Sequence, residues 1–160
     1  MGLFRHPIKH FTTKKHINKI ASLMNTPQAR ATKASERWHE PTTRRNIQTH
    51  LLSIGFKKSK RAKLLSELML EYDERCEKDG SKVIDEFLEK HKATITKTEL
   101  IFELKNAQQR MTTFVKDSNE HKLLKEKTQT YNGVKAGINN LSHGPISYID
   151  LIISHLEKQK

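Results

Sequence analysis

Acidic residues are missing from the start of this chain. Seven lysines and arginines and three histidines precede the first acid, Glu36. A surface that only needs to stay solvated usually mixes both signs. A one-sided stretch favours a polyanionic partner, through counterion release for nucleic acid or attraction to anionic lipid.

Cysteine is almost absent as well. Cys76 is the only one, so no intramolecular disulfide can form. A reducing compartment is expected, cytoplasmic by default, with the nucleus or secretion into a host cell as alternatives. Long apolar runs are lacking. Asp150 interrupts the most apolar stretch, ISYIDLIISHL, which falls short of the ~20 residues of a bilayer span. There is no signal-peptide h-region with a small-residue cleavage site, so Sec export is not expected. Gly2 fails the myristoylation pattern, because His6 stands where serine or threonine is required.

Several chemical signatures are missing too. Alternating β-branched runs and glycine-rich phosphate loops do not occur, nor does any HExxH, GxSxG, Walker or Cys–His arrangement. No enzymatic activity or cofactor is therefore expected. His6 and His10, with His16 nearby, form the densest histidine grouping. Pro7 works against a helix there and no cysteine or carboxylate completes a ligand shell, so no metal site is expected either.

What is present is charge and helical periodicity. The net charge is +12 over 160 residues, yet residues 1–63 hold 15 Lys/Arg against two acids, while 64–160 hold 15 against 16. The apolar fraction of 34% implies an economical core. The expected architecture is all-α, a helical bundle of about five to seven helices with a basic N-terminal helical hairpin or arm. The expected organisation is a hairpin over 1–42 and a bundle body over 43–160, together one compact unit.

In the body, Thr43 caps a helix carrying Ile47, Leu51 and Ile54, which stops at Gly55. Ser59 begins a second with Leu64, Leu65, Leu68, Met69, Tyr72 and Cys76 on one side, ending at Gly80. Ser81 starts a shorter one with Val83, Ile84, Phe87 and Leu88. From Thr98, Leu100, Leu104, Ala107, Met111 and Val115 form a stripe that loosens at Asp117-Ser118-Asn119. KAGINNLSHG (135–144) reads as a loop. Pro145 then opens a terminal helix with Ile149, Ile152, Ile153 and Leu156 inward.

In the first quarter, Thr12 or Thr13 caps a helix burying Ile17, Ile20, Ala21, Leu23 and Met24. Asn25-Thr26-Pro27 restarts the chain into a second helix over 27–39, with Ala31, Ala34 and Trp38 inward. Arg30, Lys33 and Arg37 line its outer side, and Pro41 stops it. The stretch IASLMNTPQARATKAS resembles a helix-turn-helix, with Ala21 at the close approach, Asn25 in the turn, and Gln28, Arg30, Thr32 and Lys33 as groove-facing donors. FKKSKRAK adds Lys57, Lys58, Lys60 and Arg61, and with Arg44-Arg45 it resembles a bipartite import signal. Cations at a helix start oppose its dipole by ~0.3–1 kcal/mol each, which hints at an external use for the cluster.

The expected function is thus a non-enzymatic nucleic-acid-binding helical protein, contacting DNA or RNA through Gln28, Arg30, Thr32, Lys33, Arg37, Arg44, Arg45, Lys57, Lys58, Lys60 and Arg61. The body would supply stability or homodimerisation. The alternative is a small helical adaptor or secreted effector that docks an acidic protein or an anionic membrane surface.

Overall fold

The structure, a computed structural model, describes residues 7–126 and 128–158, with the side chains of 7–10 and 129 outside that description. The His6–His10 grouping therefore lies outside the described residues. All regular elements among them are helical: α1 (Pro7–Leu23), α2 (Pro27–Arg30), a 3-10 segment (Ala34–His39), α3 (Pro41–Gly55), α4 (Ala62–Lys90), α5 (Lys97–Glu120), α6 (Lys122–Lys125), a 3-10 turn (Gln129–Tyr131) and α7 (Val134–Lys158). The protein is an all-α helical bundle, as the periodicity predicts.

The chain forms two compact units. Unit 1 comprises the residues up to His50 together with Thr113–Ser142, and unit 2 comprises Leu51–Thr112 and the residues from His143 onward. The described part of the expected arm, 7–42, groups with 43–50 and 113–142 in unit 1.

Unit 2 is built on a continuous apolar cluster. Leu65, Leu68 and Met69 of α4, Leu100, Leu104, Ala107 and Met111 of α5, and Ile149, Ile152 and Leu156 of α7 are all buried in it. These residues recur every three or four positions, so each helix turns one apolar stripe inward. The sequence predicts separate helices on either side of Gly80. The structure agrees: within α4 two helical segments meet at a kink, where Asp79 leaves helical geometry (φ −125°, ψ 21°). Gly80 lies close to Tyr72: a Cβ there would sit 3.3 Å from the ring, a tight contact.

At the start of α5, Thr96 and Glu99 cap each other. Thr96 Oγ1 accepts from the Glu99 N–H at 3.1 Å, and Glu99 Oε1 accepts from the Thr96 N–H at 2.9 Å. The helix therefore starts from this box rather than from Thr98. At the end of α3, Arg110 donates to the Gly55 carbonyl at 3.0 Å, satisfying one of the orphan acceptors of that terminus.

Unit 1 has a smaller apolar interior: Ile17, Ile20, Ala21, Met24, Ala29, Ile47, Phe114, Leu124, Val134, Ile138 and Leu141 are buried. Helix α1 starts at Pro7, earlier than the expected Thr12 or Thr13 cap. This places Pro7 at the first helical position, where its missing N–H costs nothing. The N-cap of α3 is Glu40 rather than Thr43. Its carboxylate accepts from the backbone N–H groups of Thr42 and Thr43, both at 3.0 Å, and from the Thr43 hydroxyl at 2.9 Å. The backbone bond from Thr42 is the main reason its pKa is lowered.

Two further expectations fail in α5 and α7. The stretch 135–144 is helix, not loop, and Pro145 lies inside α7. Val134, Ile138 and Leu141 are buried at helical spacing, and the polar residues between them find partners without leaving the helix. Asn139 and Asn119 exchange amide hydrogen bonds of 2.8 and 3.1 Å, Asn140 donates to the Ala136 carbonyl at 2.7 Å, and the Ser142 hydroxyl bonds back to Ile138. Likewise α5 does not loosen at Asp117: Ser118 is buried and donates to the Phe114 carbonyl at 2.7 Å. Gly133 has φ +85°, and a Cβ there would meet the Ala34 carbonyl at 2.7 Å, so only glycine fits the entry to α7.

Candidate functional site

The basic residues singled out by sequence fall in both units. Gln28, Arg30, Thr32, Lys33, Arg37, Arg44 and Arg45 belong to unit 1, and Lys57, Lys58, Lys60 and Arg61 to unit 2.

In unit 1 the expected second helix, 27–39, is not continuous. Thr26 caps it as predicted, its hydroxyl accepting from the Ala29 N–H at 3.1 Å, but the α-helix lasts only from Pro27 to Arg30. Lys33 is then extended (ψ 137°), and a 3-10 segment follows. The four-residue α2 buries only Ala29, while Ala31, expected inward, is exposed. Arg30, Lys33 and Arg37 therefore do not share one helical stripe. A groove-reading helix needs several side chains in register along one face, and this segment does not provide it.

Arg37 is half-buried and committed to the protein itself. Its Nε donates to the Thr32 carbonyl at 3.2 Å, and Nη1 reaches the Asn25 side-chain oxygen at 3.3 Å. It pins the turn after α2. Gln28 donates to the Thr42 hydroxyl at 3.0 Å, and Thr32 is half-buried. The exposed cations of the set are Arg30, Lys33, Arg44 and Arg45. To these the structure adds Lys14, Lys15 and Lys19, all exposed on α1. Their spacing around Ile17 and Ile20 carried that signal in the sequence.

In unit 2 the FKKSKRAK cluster forms the turn between α3 and α4. Lys57, Lys58 and Lys60 are exposed. Arg61 is an anchor: its guanidinium donates to the Thr94 carbonyl at 3.1 and 3.0 Å and pairs with Glu99 at 3.0 Å. Ser59, the expected helix cap, instead accepts from the Arg61 N–H at 3.0 Å and gives its hydroxyl to Glu103. Phe102, which the sequence reading passed over, stands exposed beside this turn.

Two pairs of partly buried titratable groups lie close together. In unit 2, burial and the neighbouring Asp73 raise the pKa of Tyr148, so its phenol stays protonated. Burial likewise raises Tyr72, whose ring meets that of Tyr148 edge-on at 5.3 Å. In unit 1, His16 Nδ1 and His50 Nε2 lie 3.0 Å apart, with Phe114 edge-on to His16 at 5.7 Å. Burial, then the charges of His16 and Lys19, lower the pKa of His50 to about 4.

Among the described residues no group of three or more histidine, cysteine or acidic side chains is placed to hold a metal ion, and no helix is long and apolar enough to cross a membrane. No known family, curated protein or solved structure matches the chain.

Proposed function

We propose that this protein binds nucleic acid without acting on it chemically, holding the phosphate backbone on the surface of unit 1. The observation that carries this reading is the charge of that unit, which has 15 Lys/Arg against five acids. Arg30, Lys33, Arg44, Arg45, Lys14, Lys15 and Lys19 lie on its exposed surface. Phosphate contacts of this kind position a protein on its polyanion but carry no sequence information. With α2 only four residues long, the reading is backbone-directed binding rather than groove readout.

The test is anisotropy of labelled duplex and single-stranded oligonucleotides titrated with protein across a salt series. Binding should persist at ~150 mM salt and fall steeply above it. The double variant Lys33→Glu with Arg44→Glu should bind at least ~10-fold more weakly and lower the duplex salt slope by ~2, because two phosphates are no longer neutralised. An unchanged affinity and slope would remove this surface from the interface.

A second reading has its own observation. Phe11, expected to precede α1, lies inside it and is exposed one turn before Lys14 and Lys15. An aromatic beside lysines on a helix surface suits an anionic membrane interface. Vesicles containing phosphatidylserine separate the two readings: sedimentation with vesicles but no oligonucleotide binding favours the membrane.

A further inference from the structure

Unit 2 has an open groove of about 440 Å³ between the turn Lys58–Arg61 and the first two turns of α5, where Thr98, Glu99, Phe102 and Glu103 line it. Phe102 is 64% exposed there. Its helical neighbours Leu100 and Leu104 are fully buried, so Phe102 sits on the opposite face by helical phase and is not an overflow of the core. A large aromatic left in water beside a cluster of lysines calls for an occupant that wants both.

The lining of the groove carries three cations, Lys58, Lys60 and Arg61, against two acids, Glu99 and Glu103. Glu99 is held by Thr96 and Arg61, and Glu103 accepts the Ser59 hydroxyl. Lys58 and Lys60, exposed on the opposite wall, supply the positive charge that faces solvent.

We infer that Phe102 is a stacking platform for an unpaired base, with Lys58 and Lys60 holding the adjoining phosphates, so that unit 2 binds single-stranded nucleic acid. An aromatic face accepts any base, and a flanking basic wall follows the backbone. A duplex hides its base faces, so it offers this groove only phosphates. The inference rests on the nucleic-acid reading above and sharpens it by naming the form of the ligand.

The test uses the full chain with a labelled oligothymidylate and a duplex of equal length. Phe102→Ala should weaken single-strand binding about 5- to 150-fold, the range for losing one stacked base, and leave duplex binding within about two-fold. Phe102→Trp should retain the single-strand affinity. Lys58→Ser with Lys60→Ser should weaken single-strand binding and flatten its salt dependence. An oligonucleotide carrying 5-iodouracil should photocrosslink to Phe102. Circular dichroism of each variant checks the fold, which an exposed side chain should not disturb.

Equal single-strand binding by the parent and Phe102→Ala, with duplex binding intact, overturns the groove and leaves the wider reading standing. No binding of either oligonucleotide by the parent protein overturns both. If Phe102→Ala instead reduces sedimentation with phosphatidylserine vesicles, the groove's occupant is a lipid surface and the inference is wrong.

Discussion

The two units carry equal numbers of cations, fifteen lysines and arginines each, but five acids in unit 1 and thirteen in unit 2. The positive field of unit 1 therefore comes from leaving acids out, not from adding lysine. Their interiors differ in the same direction. Apart from the Tyr72 phenol, the described buried side chains of unit 2 are apolar, whereas unit 1 buries Thr13, Thr43, Gln48, Ser118, His121 and Ser142 beside fewer apolar groups. A dry interior draws its stability from area removed from water, about 25 cal/mol per Å². A polar interior depends on each buried donor and acceptor keeping its partner, for a net gain near 1 kcal/mol per bond. Unit 2 therefore rests mainly on buried apolar area, and unit 1 relies more on its internal hydrogen bonds beneath a charged surface.

The largest expected effect tests that division directly. Leu100→Ala removes a fully buried side chain from the apolar cluster of unit 2 and should cost about 2–5 kcal/mol, the range for such truncations. Ser118→Ala in unit 1 deletes a hydroxyl whose bond returns to the preceding turn of its own helix. It should cost ~1 kcal/mol or less. Urea unfolding followed by circular dichroism measures both. Comparable losses would erase the distinction between the two interiors.

Acid should act on unit 1 through the His16–His50 pair. The folded-state pKa of His50, about 4, lies below its ordinary value of 6.5. Above pH 6.5 neither state takes up a proton at this site and its contribution is constant. Between 6.5 and 4 the unfolded chain binds a proton that the fold refuses, so stability falls as pH falls. Below 4 the loss is complete. Partial exposure and solvent screening reduce the effect to roughly 1–2 kcal/mol. His50→Gln should remove this component while leaving the acid response of the carboxylates. Melting temperatures of both proteins between pH 7.5 and 4.5, compared as a difference, isolate it. Parallel curves would show that the pair has no such role.

These contrasts also show what the sequence could disclose. The stripes through Leu65, Leu100 and Ile149 were legible because burial in a helix repeats every three to four residues, a local pattern. The first half of α7 was not, because Gly137, Asn139 and Asn140 are breakers by propensity. What holds them in the helix is tertiary: the paired amides of Asn119 and Asn139 lie twenty residues apart. The same limit applies to cations. Nothing local separates Arg37 and Arg61, both drawn into hydrogen bonds, from Lys33 and Lys60, which stay exposed. Phe102 did leave a trace, being two residues from both Leu100 and Leu104 and so off the apolar stripe.

The smallest effect separates a cation that builds the surface from one that forms it. Arg37 ties Thr32 and Asn25 together in the turn after α2, whereas Lys33, four residues before it, is exposed. Arg37→Ala should lower stability by about 1 kcal/mol, because the carbonyl and amide oxygens it serves lose a donor. Its effect on affinity should be slight, since its guanidinium is already engaged by Thr32 and Asn25. Lys33→Ala should do the reverse, weakening oligonucleotide binding a few-fold and reducing the duplex salt slope by ~0.9, with the unfolding curve unmoved. Urea unfolding and anisotropy on the same two preparations give four numbers. If Arg37→Ala lost affinity while keeping its stability, Arg37 would belong to the binding surface, and the turn after α2 would have to open to present it.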